Sequence, residues 1–450
     1  MEVNDRIQNS SVYAISQIGY SKTSCSKITW ISILTCALIG CCYQIYGFTD
    51  QYFKYPVIVD LLIEQPETIT FPAVTVCNLN RMKSEYEPCL YKFDALEKCH
   101  SLPGPPGSVR GSLSLSERQS IRTCKTHFRG KQHKDTDSYV EFLDKYFALD
   151  QDKHYRFGHK VDELVMNCSF NGKSCNSTFF WRSWNFRYGN CYTINGSKQM
   201  LTSAASSKGL ELILHVKPKD YVSVSHTIGM RIVIHNPVDN ADPEGNGINI
   251  FPGCETDISL SQTIIRRLPA PYKDKCVSYA NNPFYQSQAQ CMQHCIQEYN
   301  YKQCGCVEPS LPSKFPVKRC TVKNSTELCC LDAVINSLAI HGTECKCPLP
   351  CVTTYYNERL TMAKWPSNAF FLKEMCKSAG KDIKTYRKSH AKVRISFSTF
   401  AMVTYEQKPV FLESEIFSHL GGELGLWLGL SLIAVFELLE VFLYFCNRKI

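Results

Sequence analysis

LGLWLGLSLIAVFELLEVFLYF, residues 424–445, is the stretch on which the reading of this chain turns. It is long enough to cross a bilayer, which takes roughly 20 apolar residues. Yet two carboxylates, Glu437 and Glu440, sit inside it. An ionised Glu at the centre of a membrane helix costs about 3 kcal/mol or more, so such residues face protein or water rather than lipid. Glu437 and Glu440 share one helix face. A membrane helix with a polar face calls for partner helices and a water-filled path, which reads as an ion pathway. The competing reading is a lone membrane anchor whose carboxylates snorkel to the surface. Glu440 is near enough to the end of the stretch for that; Glu437 is deeper.

One other segment suits a bilayer. Residues 28–46, ITWISILTCALIGCCYQIY, carry no charge, and Trp30, Tyr43 and Tyr46 stand near their ends, where interfacial aromatics belong. A cleaved signal peptide is the rival reading, but the segment starts late and lacks a small-x-small cleavage site. Two spans put both termini on one side. Lys22 and Lys27 precede the first span and Arg448 and Lys449 follow the second, so both ends are expected in the cytoplasm. The expected organisation is a cytoplasmic N-terminus (1–27), a first transmembrane helix (28–46), an extracellular domain (47–420), a second transmembrane helix (421–446) and a cytoplasmic tail (447–450), in the plasma membrane.

Of the 25 cysteines, 20 fall between Cys77 and Cys376. That concentration suits an oxidising compartment and a disulfide framework. Sequons at Asn167, Asn176, Asn195 and Asn324 fall in the same region. The net charge of +9 invites a nucleic-acid reading, but the basic residues are dispersed through a region placed outside the cell, which argues against a nucleic-acid partner. The chain has no G-x-S-x-G, H-E-x-x-H or phosphate loop, so neither an enzyme nor a cofactor is expected.

Strand-like runs follow the first span (68–79), recur mid-chain (211–217 and 226–236) and precede the second span (392–407). The last alternates through Val393, Ile395, Phe397 and Thr399. Strands entering from both spans can pair into one sheet, which would couple this region to the membrane helices. Helical patterns cover 138–149 and 282–300, the second placing Cys291 and Cys295 on one face. Cys304–Gly305–Cys306 and Cys345–Lys346–Cys347 read as disulfide halves in this setting. Metal ligation is the alternative, although zinc sites more often separate such pairs by two to four residues.

Four separated motifs coincide: FPAVTVCN (71–78), the cysteine series CMQHC, CGC and CKCPLPC (291–351), HLGGELGLWLGLS (419–431), and the glutamates that follow it. Together they resemble the degenerin/epithelial sodium channel family, which includes the acid-sensing channels and the insect pickpocket channels. The resemblance covers most of the chain from Ile28 onward; residues 80–160 match nothing distinctive. It implies an α+β ectodomain of palm sheet, β-ball, finger, thumb and knuckle, assembled as a homo- or heterotrimer around a sodium pore blocked by amiloride. The second span would line that pore, with Gly429, Leu430 and Ser431 as selectivity filter and Glu437 and Glu440 concentrating cations.

The same resemblance places Ser418 at the degenerin gating position. It makes Gly19 the remnant of a cytoplasmic His–Gly motif whose histidine is here Ile18. It pairs Tyr272 with Tyr55 as a link between thumb and pore. The implied disulfides are Cys77–Cys191, Cys168–Cys175, Cys276–Cys351, Cys291–Cys347, Cys295–Cys345, Cys304–Cys330 and Cys306–Cys320. Asp332 matches one acid-sensing carboxylate, while Asn336 replaces its neighbour, which argues against strong acid gating by that route. Leu430 is bulkier than the residue usual there, which with Ile18 points to a subunit that needs a partner to conduct; a non-conducting regulatory subunit of a heteromeric channel is the alternative within the family. Two other classes fit the topology: a scavenger-type receptor, which has no use for Glu437, and an ATP-gated channel, which calls for clustered basic residues and other cysteine spacing.

Overall fold

A computed structural model describes residues 12–91, 134–176, 179–194, 200–202, 209–280, 285–311, 317–321, 324–342, 345–375, 382–431, 433–434 and 436. Glu437, Glu440, Asn195, Cys99, Cys124, Cys376 and the tail 447–450 lie outside them. The chain divides into two units. The smaller joins residues 1–60, 267–276 and 406–450; the larger joins 61–266 and 277–405.

In the larger unit, two sheets enclose the main core. One runs β13–β12–β14–β9–β4–β5, where β4 is Val165–Phe170, β5 Lys173–Ser174, β9 Leu210–His215, β12 Cys254–Arg266, β13 Val352–Lys364 and β14 His390–Pro409. A further strand, β1 (Val57–Glu64), pairs with β14. The other sheet runs β11–β10–β3–β7–β6, with β3 at Ala73–Asn78, β6 at Phe180–Asn185, β7 at Gly189–Ile194, β10 at Met230–His235 and β11 at Ile248–Ile250. Alternation at period two supplies the packing. Leu210, Leu212 and Leu214 of β9 and Val393, Ile395 and Phe397 of β14 meet Val74, Val76, Met230, Ile232 and Ile234 from the facing sheet, all buried. Burying each such side chain stabilises by about 1.5–3 kcal/mol.

The FPAVTVCN motif has a structural explanation. Every residue of β3 is buried, and the strand lies between β10 and β7 in its sheet. At its end and just past it, Asn78 and Asn80 are fully buried and hydrogen-bonded. Asn78 Nδ2 donates to the Val216 carbonyl and its Oδ1 accepts from Asn80 N and Tyr221 Oη. Asn80 Nδ2 donates to the Met82 and Asp220 carbonyls while its Oδ1 accepts from Val222 N and Ser225 Oγ. The motif is a folding anchor for the loops that leave the sheet.

A second core forms where the helix Lys134–Phe147 sets Phe142 and Tyr146, one turn apart, against Met82 and Phe157. Arg81 lies over the Phe142, Tyr146 and Phe186 rings at 5.7–5.8 Å. Burial holds His154 neutral, with its pKa down at about 4, and its Nε2 lies 2.9 Å from the Tyr146 carbonyl.

The expected helix at 282–300 forms over Gln288–Cys304, capped by Ser287, and is followed by Ser325–His341. These helices carry little amphipathic character and are stapled instead. The structure joins Cys291 to Cys347, Cys295 to Cys345, Cys304 to Cys330 and Cys306 to Cys320. Elsewhere it joins Cys77 to Cys191 and Cys168 to Cys175. Cys276 and Cys351 are each disulfide-bonded, as are Cys89 and Cys329. Cys306, Cys320 and Glu327 are close enough to suggest a metal site, but the disulfide consumes both sulfurs and leaves no thiolate ligand.

Candidate pore segment

The smaller unit begins with a short helix, Tyr13–Tyr20, which contains Gly19 and meets the next helix through an edge-on Tyr13–Trp30 contact at 5.7 Å. That next helix, Ser24–Tyr52, has 29 residues and is capped by Thr23. Among the described residues it is the one helix long and apolar enough to cross a membrane, and only 6% of its most apolar window is buried. It extends several residues past both ends of the expected 28–46 span, reaching about 43 Å at 1.5 Å per residue. The additional turns carry Phe48 and Tyr52 toward the start of β1.

Residues 413–428 form the facing helix, Glu413–Leu428, which starts before the membrane boundary expected at 421. Its fit against the first helix depends on a small residue. A Cβ on Gly40 would come within 2.7 Å of the Trp427 ring, so glycine there admits the indole, whose Nε1 donates to Gln44 Oε1. Phe48 stacks on His419 at 4.4 Å between ring centres, and Phe411 meets Phe48 edge-on at 5.4 Å. Ser418 therefore precedes a histidine held against the first helix. Among the described residues, one buried carboxylate oxygen of Glu423 has no hydrogen-bond partner.

The helix ends at Gly429. This residue adopts the left-handed conformation, φ 62° and ψ 23°, and its N–H bonds to the Gly425 carbonyl at 3.0 Å. Leu430 N–H returns to the Leu424 carbonyl at 3.2 Å, and neither Leu430 nor Ser431 is helical. Ser431 Oγ then accepts from Ala434 N, capping the turn that follows. The glycine and the serine of the G-x-S pattern thus each have a local role. Glycine supplies a positive φ that an L-residue adopts only at a conformational cost, serine caps the restart, and the interruption leaves main-chain carbonyls outside a regular helix ladder.

The segment 267–276 belongs to the same unit. Tyr55 and Tyr272 meet edge-on with ring centres 5.6 Å apart. Tyr55 has φ 46°, a strained value for a residue with a side chain. Gln407, at the end of β14, accepts from Leu268 N at 3.0 Å and donates to Asp274 Oδ2 at 2.7 Å. Lys408 pairs with Asp60 of β1 at 2.8 Å, and Val410 N bonds the Pro56 carbonyl. Sequence reading singled out the tyrosines and missed Gln407, because its partners lie more than a hundred residues away. The chain passes between the units inside β1 and β14 and at both ends of 267–276.

Of the remaining expected sites, Asn167 and Asn176 are exposed, and exposed Asn324 caps the helix Ser325–His341. Asp332 is half-buried and Asn336 exposed on that helix.

The chain combines a disulfide-stapled α+β region with a helix pair whose second member is broken at Gly-x-Ser. The family model described as amiloride-sensitive sodium channel matches residues 7–441. The chain is 27% identical to acid-sensing ion channel 1 of Gallus gallus over 449 residues, which covers 96% of this chain and 82% of that one. It is 30% identical to degenerin del-1 of Caenorhabditis elegans over 331 residues, covering 70% and 49%. It is 24% identical to the epithelial sodium channel subunit alpha of Homo sapiens over 512 residues, covering 96% and 76%. Among solved structures, a proton-activated chloride channel aligns at a TM-score of 0.32 and 4% identity over 92% of this chain and 97% of that one, too weak a likeness to carry an argument. The chain belongs to the amiloride-sensitive sodium channel family, also called the degenerin/epithelial sodium channel family.

Proposed function

We propose that this chain is a pore-forming subunit of a trimeric, amiloride-sensitive sodium channel in the plasma membrane, gated by a stimulus acting on its disulfide-rich extracellular region. The observation that carries the reading is the break at Gly429–Leu430–Ser431. In a close-packed trimer, three such breaks would present carbonyl oxygens to a dehydrating cation, with rings of Glu437 and Glu440 raising its local concentration. Partner chains also suit the apolar residues that a single copy leaves exposed, including Ile58 and Ile63 on β1 and Phe417 on the second helix. Ser418 would act as the gate-side residue, and the Tyr55–Tyr272 contact would pass motion of 267–276 to the first helix.

The test is voltage clamp on cells expressing this chain alone, as wild type and as Ser418→Val. A bulky side chain beside the gate should obstruct closure, giving a constitutive sodium current that amiloride blocks. Silence in both, with the protein at the surface, would discard the homomeric channel and leave a subunit that conducts only with a related partner.

A further inference from the structure

Within the larger unit, a groove-like cavity of about 800 Å³ opens where the turn Pro252–Cys254, the end of β13 and the short helix Ile383–Ser389 converge. Its walls are fixed. Gly253, with φ +82°, donates its N–H to the His390 carbonyl at 2.7 Å and accepts from Trp365 N at 2.9 Å. Arg387 donates from Nε and Nη2 to the Pro366 carbonyl and from Nη2 to Asn368 Oδ1. Behind it, Tyr386 packs on Trp365 and Phe371 at 5.7 and 5.5 Å.

The lining has two characters. Pro218, Ile228, Pro252 and Met362 give an apolar wall, with Ile228 46% and Met362 58% exposed. Lys364, Arg387 and Lys388 add three cations, and no carboxylate is among the lining residues. Neither lysine has an ion-pair partner among the described residues, and the adjacent Glu255 is engaged by Lys392 and Arg394, each at 3.1 Å. Clustered cations beside exposed apolar surface are complementary to one kind of molecule. We propose that this cavity binds an anionic amphipathic small molecule, a carboxylate head on a short apolar body. The site goes beyond ion conduction, and its test needs no current.

Cys254 provides the probe, since it carries a free, half-buried thiol on the cavity wall. In the full-length protein, its modification can be followed by peptide mass spectrometry with two methanethiosulfonates of opposite charge. In each, the thiolate forms a mixed disulfide and displaces methanesulfinate. The anionic sulfonatoethyl reagent should react about tenfold faster than the cationic trimethylammonium-ethyl reagent. The Lys364→Gln/Lys388→Gln variant, altered only at exposed side chains, should lower the ratio severalfold, Arg387 alone remaining. Decanoate in free solution should slow modification severalfold; decyltrimethylammonium should not. Phosphatidylserine vesicles should leave the rate unchanged, which separates a free amphiphile from a lipid headgroup. Equal rates for the two reagents, no protection by decanoate, protection by the vesicles alone, or a Cys254 that reacts only after denaturation would each overturn the proposal.

Discussion

Replacing Gly429 with alanine tests the proposed filter at its most specific point. A Cβ there meets no atom within 4 Å, so the substitution makes no clash, and its cost is conformational. At φ 62° an L-residue pays about 1–2 kcal/mol for the left-handed backbone. With the three copies proposed, the broken conformation loses about 3–6 kcal/mol against a continuous helix. At 1.4 kcal/mol per factor of ten, its relative population falls by roughly two to four orders of magnitude. Gly425→Ala is the control. Gly425 is helical, its Cβ would meet only the Leu430 carbonyl oxygen at 3.8 Å, and alanine should favour the helix by about 0.8–1 kcal/mol. The assay is the bi-ionic sodium/potassium reversal potential, measured on channels held open by Ser418→Val. A tenfold fall in the permeability ratio moves this potential by about 59 mV. Gly429→Ala should lose most sodium preference or most current, while Gly425→Ala keeps both. A Gly429→Ala channel with full current and an unchanged reversal potential would refute the claim that the left-handed break forms the filter.

Three further outcomes follow from the geometry. The Tyr55–Tyr272 contact should give a coupling of about 0.5–1.5 kcal/mol in a double-alanine cycle read from thermal unfolding, and strictly additive losses would show that the rings do not support one another. Asn80→Ala leaves two buried carbonyls and the Val222 N–H without their partner, so it should cost about 2–4 kcal/mol and cut surface delivery; wild-type maturation and melting would contradict the anchor role. Glu358 sits opposite Leu260 on β13, and burial raises its carboxyl pKa from 4.5 to about 7. The folded state therefore holds this proton more tightly than the unfolded chain. The associated stability is complete below pH 4.5 and is lost as pH rises toward 7. Partial exposure reduces the effect, so the melting temperature should fall by on the order of 2–4 °C across that window. Glu358→Gln should flatten that slope, and an unchanged slope would place the titration elsewhere.

The strands of the core were legible wherever one face is dry and the other is not. Val393, Ile395 and Phe397 alternate with polar neighbours because β14 has the main core on one side. The strand expected from 226 begins only at Met230, where the ladders with β3 and β11 start. The run 68–79 divides into two strands, Thr68–Thr70 and β3, at Phe71–Pro72, where proline has no N–H to give a ladder. β13 gave no pattern because it is an edge strand with most of its residues exposed on both faces. In the membrane part, the glycine–serine pattern was readable through family resemblance, and the structure supplies its local physics in a left-handed glycine and a capping serine. The Gln407 brace and the Gly40–Trp427 fit were not readable. Each depends on which distant residues the fold brings together, and neither leaves a periodic or compositional trace.

The most direct measurement is a single-particle structure of the full-length chain in lipid nanodiscs. The account predicts three copies about one axis, with the second helix innermost and Gly429–Ser431 at the narrowest point. A single copy, a different symmetry, or a trimer in which that segment faces lipid would contradict it.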